Sequence, residues 1–541
     1  MKTKNIVRIL LSLVLVFGFS SAWAKTIKWS MQGDSLTLDP HAQNEGPTTQ
    51  VSRQVYEALV QRGLDMKIGP ALATKWRATD PNNWEFTLRK GVKFSDGSDM
   101  TSEDVVFSIL RAKQRTSDFK EYISTISGVK AVGDHTVIIT TSKPNPILLN
   151  QLSNIFIMSK AWSEKNFAMA PQNWDAGQET FSATNALGTG PFKITLREPN
   201  TKTVFKRNKH WWGEMKDKKV TQIELLPIKN AATRVAALLS GEIDLVTDAP
   251  VQDLKRIGSS SGHKVVSTAQ MRTIFLGMDQ AADKLRTGNT GDNPFKKKEV
   301  RQALYQAIDI EAIKKKVMRG LSEPSALMIS PKLTNISSGR FQRLAYDPAK
   351  SKQLLADAGY AGGFEVGMDC PNDRYVNDEA ICQATVSMLA KVGIKVNLLA
   401  QPKAKYFPKV LAPNLDVSFY LLGWTPGSLD SWNVLYNLHG CPRVADGAPI
   451  WNKADRNKIS SGKFNLGGYC NEEVDALSAK VLSETDAGTR DQLIESAFAK
   501  TIGDIAYIPL HQQALAWGVR SGVTLKQRAD NQFKWRFVNI K

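Results

Sequence analysis

The chain has 541 residues, 42% hydrophobic and 23% charged, which is too long for a single hydrophobic core and too apolar for a disordered chain. Its formal net charge of +19 comes from lysines and arginines spread along the sequence, with only short runs such as Lys296-Lys297-Lys298 and Lys314-Lys315-Lys316. That pattern reads as a solvated basic face, which excludes a nucleic-acid partner while leaving room for an anionic ligand, and four cysteines without Cys-x-x-Cys spacing beside six scattered histidines exclude a structural zinc site.

In chain order, Lys2, Lys4 and Arg8 precede an apolar run at 9–19 and the small-x-small triplet Ala22-Trp23-Ala24. Residues 1–24 are expected to be a signal peptide cleaved after Ala24. The apolar run is shorter than the ~20 residues of a membrane span, and no cysteine at the cleavage point could take a lipid. The expectation is a soluble, monomeric protein exported to a Gram-negative periplasm and built from two or three lobes.

A strand at 26–29 leads through the loop 33–40 into an amphipathic helix carrying Val51, Val55, Leu59 and Val60. Then comes Trp84-Glu85-Phe86-Thr87-Leu88-Arg89-Lys90-Gly91-Val92-Lys93-Phe94-Ser95-Asp96-Gly97. Alternation predicts a strand through Trp84, Phe86 and Leu88, turns at Gly91 and Asp96-Gly97, and a second strand with Val92 and Phe94. Thr101, three residues before Asp104, predicts a capped helix whose apolar face holds Val105, Val106, Ile109 and Leu110. A strand at 135–141 and a helix near 146–152 follow. Leu187-Gly188-Thr189-Gly190-Pro191-Phe192-Lys193 is a glycine-rich turn entering a strand, before strands at 202–207 and 222–228 and a helix at 231–239.

Beyond Met271 the helices lengthen, at 298–308, 310–318, 348–358 and 379–392, and buried strands fall at 363–368, 394–399 and 417–422. This alternation defines an α/β architecture. Segments 505–510 and 534–540 return to complete the first lobe.

Two motifs suggest chemistry. Gly258-Ser259-Ser260-Ser261-Gly262 matches a hydrolase nucleophile elbow, but it lies between a predicted helix at 251–257 and a predicted strand at 263–267, the reverse of the order an elbow needs. Gly188-Thr189-Gly190 lacks the third glycine of a dinucleotide loop and runs into Pro191. No nucleophile–base pair or metal-ligand set survives, so no cofactor and no enzymatic activity are expected.

The block 84–111 closely resembles the family mark of the extracytoplasmic solute-binding proteins that serve peptide-type and nickel-type ABC importers. The resemblance extends through Gly188-Thr189-Gly190-Pro191-Phe192, Asn208-Lys209-His210-Trp211-Trp212, Ser240-Gly241-Glu242-Ile243-Asp244 and Val300-Arg301-Gln302-Ala303-Leu304. It implies a three-lobed periplasmic binding protein of the large peptide-binding type with a discontinuous first lobe. Lobe I would comprise 25–68, 186–270 and 502–541, lobe II 69–185, and lobe III 271–501. It further implies a short peptide or peptide-like ligand delivered to permease subunits in the inner membrane, with an oligosaccharide, opine or metal complex as alternatives and a secreted hydrolase as the rival of another class.

The resemblance also implies ligand contacts from the loop 32–36, with Ser35 and Leu36, and from Gly423, Trp424 and Thr425. Arg374 is expected to bind a carboxylate, because a planar guanidinium suits bidentate pairing. Peptide-binding relatives place an Asp three residues after the aromatic to pair with the ligand ammonium; here that position is Gly427. Asp430 either replaces the missing anchor or caps a helix opening at Ser431. Four cysteines permit three pairings, and the neighbours in sequence, Cys370 with Cys382 and Cys441 with Cys470, are the expected ones.

Overall fold

A computed structural model describes residues 25–541 except 218, 289–290, 334–335, 337–339, 412–413 and 445–458. The signal segment expected at 1–24 lies outside the described residues. The elements that position the site are, in chain order, β1 (Lys25–Ser30), α1 (Gly46–Val55), β2 (Ala73–Asp80), β3 (Asn83–Leu88), α2 (Ser102–Ala112), β4 (Ile126–Ala131), β5 (Thr136–Thr141), β6 (Phe192–Glu198), β7 (Lys202–Arg207) and β8 (Val220–Leu225). They continue with β9 (Leu245–Val246), β10 (His263–Met278), β11 (Phe364–Pro371), α3 (Asp378–Ala390), β12 (Ile394–Gln401), β13 (Phe419–Trp424), α4 (Ser431–Val434) and β14 (Ile508–Arg520).

Ten of these strands form one mixed sheet in the order β12-β11-β13-β10-β14-β9-β1-β8-β7-β6, and the short strand Ser322–Pro324 joins it along β14. The long strands β10 and β14 pair antiparallel from His263↔Arg520 to Leu276↔Ile508, so they belong to both halves of the sheet. One half buries Ile27, Trp29, Phe205, Ile223 and Trp517; the other buries Ile274, Val366, Met368, Phe419 and Leu421. A separate antiparallel sheet, β2-β3-β5-β4, shares a third core with α2, where Phe86, Val105, Ile109, Val137 and Ile139 meet. This is the α/β, lobed architecture that the sequence implied. The divisions expected at 68/69, 270/271 and 501/502 fall inside the short strand Ile68–Pro70, inside β10 and inside the helix Ala487–Gly503.

The family-like block folds much as its pattern predicts. Phe86 and Leu88 are buried in β3, and the Asp104 carboxylate accepts the Thr101 N–H at 2.8 Å to cap α2. Three local expectations are corrected. The Val92–Phe94 segment forms only a bridge, Lys93↔Asp99, because the turn closes too soon for a ladder. Leu110 is exposed, since the buried face of α2 runs through Val105, Ile109 and Ala112 and Leu110 points away from it. Helix α1 stops at Val55 because Tyr56 is extended, and Leu59 and Val60 leave it for the third core.

The glycine-rich turn has a physical reason. Added Cβ atoms at Gly188 and Gly190 would sit 2.2 and 2.6 Å from the Val55 carbonyl oxygen, and the Gly190 N–H donates to that oxygen at 2.8 Å. Only bare backbone lets the chain pass the end of α1. Beyond Gly258, Leu254–Ser259 is helix and His263 opens β10, so the elbow geometry is absent there. Both expected disulfides form; Cys370–Cys382 joins β11 to α3.

Candidate functional site

Where α1, the loop after β13 and the middle of β10 converge lies a cavity of about 110 Å³. Its lining draws on 44–62, on Phe119 and Asn154, on 272, 374 and 422–429, and on Asp530 near the C-terminus. Of the residues singled out in the sequence, Arg374, Gly423, Trp424 and Thr425 are brought together here.

β13 carries Gly423 and Trp424 at its end, paired with Ile274 and Thr273 of β10. A Cβ at Gly423 would stand 2.7 Å from Ile274 and 2.8 Å from the Tyr375 ring, so the glycine lets Tyr375 pack against the strand and donate its hydroxyl to the Gly423 carbonyl at 3.3 Å. Trp424 donates its indole N–H to Asn433 Oδ1 at 2.9 Å and packs on Phe464 at 4.8 Å between centroids. The ring is therefore held as a rigid wall.

Two expected residues lie elsewhere. Ser35 and Leu36 line a different cavity, of about 350 Å³, with Asp34, Arg197 and Lys403. Their main-chain donors are already used: the Ser35 N–H goes to Asp34 Oδ1 at 2.8 Å and the Leu36 N–H to Thr48 Oγ1 at 3.0 Å. They therefore offer no backbone wall to a solute at Trp424.

Asp430 also lies outside the lining. It caps α4, accepting the Trp432 N–H at 2.8 Å, and Arg490 grips both its oxygens at 2.7 and 2.9 Å. Of the two roles the sequence left open, the structure shows the cap. A carboxylate whose charge is matched by a guanidinium and which lies outside the cavity lining gives a ligand ammonium no free anion there.

Tyr122 occupies the space beside Gly427. A Cβ there would lie 2.0 Å from the Tyr122 hydroxyl oxygen, which accepts a hydrogen bond from Asn44 Nδ2 at 3.1 Å. Burial pushes that hydroxyl up to about 12, so it stays neutral. At the position where the family resemblance implies an acid, the space is filled by a phenol.

Electrostatics complete the site with residues the sequence reading missed. The buried Glu45, which caps α1, lies 3.1 Å from both Lys403 Nζ and Arg374 Nε. Burial works to raise its pKa, but Lys403 and then Arg374 overcome that and hold the carboxyl below its ordinary value. The Arg374 contact is an ion pair without hydrogen-bond alignment. Arg272, on β10, donates Nε to Thr425 Oγ1 at 3.2 Å and lies over the Tyr375 ring. Burial, then the Arg374 charge, lowers its pKa to about 10. Arg53 and Arg62 enter from the other side, and burial lowers each to about 10. The available signal was a charge inside an apolar pattern: Arg53 between Val51 and Val55, and Arg272 ahead of Ile274-Phe275-Leu276.

These elements define an interior lined by cations. Residues 67–446 match the bacterial extracellular solute-binding proteins, family 5 Middle, and the chain belongs to that family. It is similar to the glutathione-binding protein GsiB of Salmonella typhimurium, 24% identical over 92% of this chain and 90% of that protein, and to heme-binding protein A of Haemophilus influenzae, 26% identical over 85% and 82%. Solved structures with the same fold include DppA of Helicobacter pylori in complex with the peptide STSA, with a TM-score of 0.81, 23% identity and coverage of 96% of this chain and 98% of that one. AgaA of A. tumefaciens R10 in complex with agropinic acid gives a TM-score of 0.80, 23% identity and coverage of 96% and 99%.

Proposed function

We propose that this solute-binding protein is exported to the periplasm by its 1–24 segment, captures a short peptide-like solute between lobes, and hands it to the permease of an ABC importer. It acts as a monomer and performs no chemistry. The observation that carries the reading is the convergence of Arg374 and Arg272 beside the Trp424 wall in a cavity that all three lobes line. A guanidinium pair suits a carboxylate, and the fixed indole suits an apolar side chain or backbone plane.

The lobe assignment 25–68 with 186–270 and 502–541, then 69–185, then 271–501, makes β10 and β14 the connection on which the lobes turn. About 110 Å³ is small beside the ~300 Å³ or more of a drug-sized site, so a solute enters by separating the lobes. Glutathione, peptide and agropinic acid, named with the relatives, all carry carboxylates, which supports an acidic, peptide-like cargo over an oligosaccharide. Native mass spectrometry of the protein after incubation with a peptide and sugar library tests this: an unaltered, retained acid is expected, and turnover or selective retention of a neutral sugar overturns it.

A further inference from the structure

The cavity has cations to spare and no carboxylate to offer. Its lining carries Arg53, Arg62, Arg272 and Arg374 against Glu45 and Asp530. Glu45 is held between Lys403 and Arg374, and both Asp530 oxygens are taken by Arg528. Asp430, the remaining acid near the loop, is closed off by Arg490. A ligand ammonium entering here meets no free anion among the described residues.

The spare cations form two poles. At the first, a Cβ on Gly46 would sit 3.2 Å from Arg374 Nη2 and 3.5 Å from Arg272 Nη2, so both guanidiniums converge over the bare start of α1, where the helix dipole adds positive potential. Arg272 makes no ion pair with any described carboxylate; its partners are Thr425 and the Tyr375 ring, and of the two acids that act on its charge, Asp248 does not line the cavity and Glu45 is already paired with Lys403 and Arg374.

At the second pole, Arg53 donates to Asn154 Oδ1 at 2.9 Å, and Arg62 to the carbonyls of Ser428 and Met66 at 2.8 and 3.2 Å. Neither forms an ion pair with a described carboxylate; Asp530 acts on both charges from a distance and Asp430 on that of Arg62, but each acid is itself paired with another arginine, and Arg53 Nε is buried without any partner. Further cations crowd behind them: Lys534 is buried, its pKa lowered by burial and then by Arg536, Arg528 and Arg53. Leaving such charges only partly compensated where water is largely excluded is costly, and a counter-anion lowers the cost.

Resting on the reading above, we propose that the cargo is a compound with two separated anionic groups and no free ammonium: one anion at Arg272 and Arg374, the other at Arg53 and Arg62. Either group is a carboxylate or a phosphate, whose oxygens pair equally with guanidinium forks. This is the opposite charge pattern to a zwitterionic peptide.

Calorimetry on the full chain, unfolded and refolded with disulfides intact to strip co-purified solute, tests it with Ala-Ala, N-acetyl-Ala-Ala and N-succinyl-Ala-Ala. The succinyl diacid should bind at least tenfold more tightly than the acetyl mono-acid, and Ala-Ala more weakly than either. The Arg53→Gln, Arg62→Gln double variant should shrink the diacid's advantage to less than twofold. If that variant misfolds, raising salt on the parent from 50 to 500 mM should weaken the diacid more than the mono-acid. N-acetylphosphoserine in place of the diacid shows which oxyacid the second pole prefers; binding at least tenfold tighter than the mono-acid supports the proposal equally. Ala-Ala binding as tightly as the diacid, or an ammonium-bearing compound retained from a periplasmic extract, overturns the proposal and leaves the transport reading standing. No retained solute and no probe binding would overturn both.

Discussion

At the scale of single residues, two positions separate ligand chemistry from structure. Asp430 looked like a substitute anchor because it is the nearest acid to Gly427 in sequence, yet its carboxylate is used by α4 and Arg490. Asp430→Asn should therefore lower unfolding stability by about 2–3 kcal/mol, through a weakened cap and an unpaired, largely buried Arg490. Cleft affinity, measured by calorimetry on the folded variant, should stay within about twofold of the parent. A selective loss of affinity without loss of stability would return Asp430 to the site. Gly427→Ala pushes a methyl into the Tyr122 hydroxyl and should cost about 1–3 kcal/mol, with part recovered by Tyr122→Phe, which removes the closest contact. Thermal or urea unfolding of the four variants of that cycle checks it, and additive losses would refute the contact.

Among the elements, the most sequence-legible were those whose pattern is local. β7 and the helix Ala231–Leu239 fall where the alternation and the 3.6-residue spacing placed them, and the capping acid of α2 was visible from Thr101 and Asp104. Misreadings came where a neighbour far along the chain decided the outcome. Helix α1 ends at Val55 because the chain then turns to bury Leu59 and Val60 in a different core, and no periodicity announces that. The Gly188–Gly190 turn was recognisable as glycine-rich, but its purpose, contact with the Val55 carbonyl, is a tertiary fact. Because the atoms a Cβ would meet at Gly190 are all backbone, Gly190→Ala should cost about 3 kcal/mol or more. A shift in the denaturation midpoint of under half that amount would show that the end of α1 can move aside.

Over the whole molecule, acid should unfold this protein partly through its buried histidines. His439 has both ring nitrogens buried without a hydrogen-bond partner, and burial lowers its pKa to about 3 from an ordinary 6.5. Between those values the unfolded chain holds a proton that the folded chain refuses, so the stability it contributes is full above pH 6.5 and lost as pH falls. His439→Gln should reduce the loss of unfolding free energy between pH 7.5 and pH 5 by about 2 kcal/mol relative to the parent, read by urea titration at both values. Parallel pH profiles would refute it. If cargo bridges the lobes, small-angle scattering should show a smaller radius of gyration with bound solute, and the melting temperature should rise with solute concentration by mass action; an unchanged radius with a solute proven to bind would exclude closure. The α/β class, the membership suggested by the 84–111 block and the disulfide pairs followed from sequence, since local pattern, cysteine separation and family order are all written along the chain. Which acids are free, which arginines lack partners and what fills the space at Gly427 were decided only by the fold, because charge compensation depends on neighbours hundreds of residues apart, such as Glu45 with Lys403 and Arg62 with Ser428.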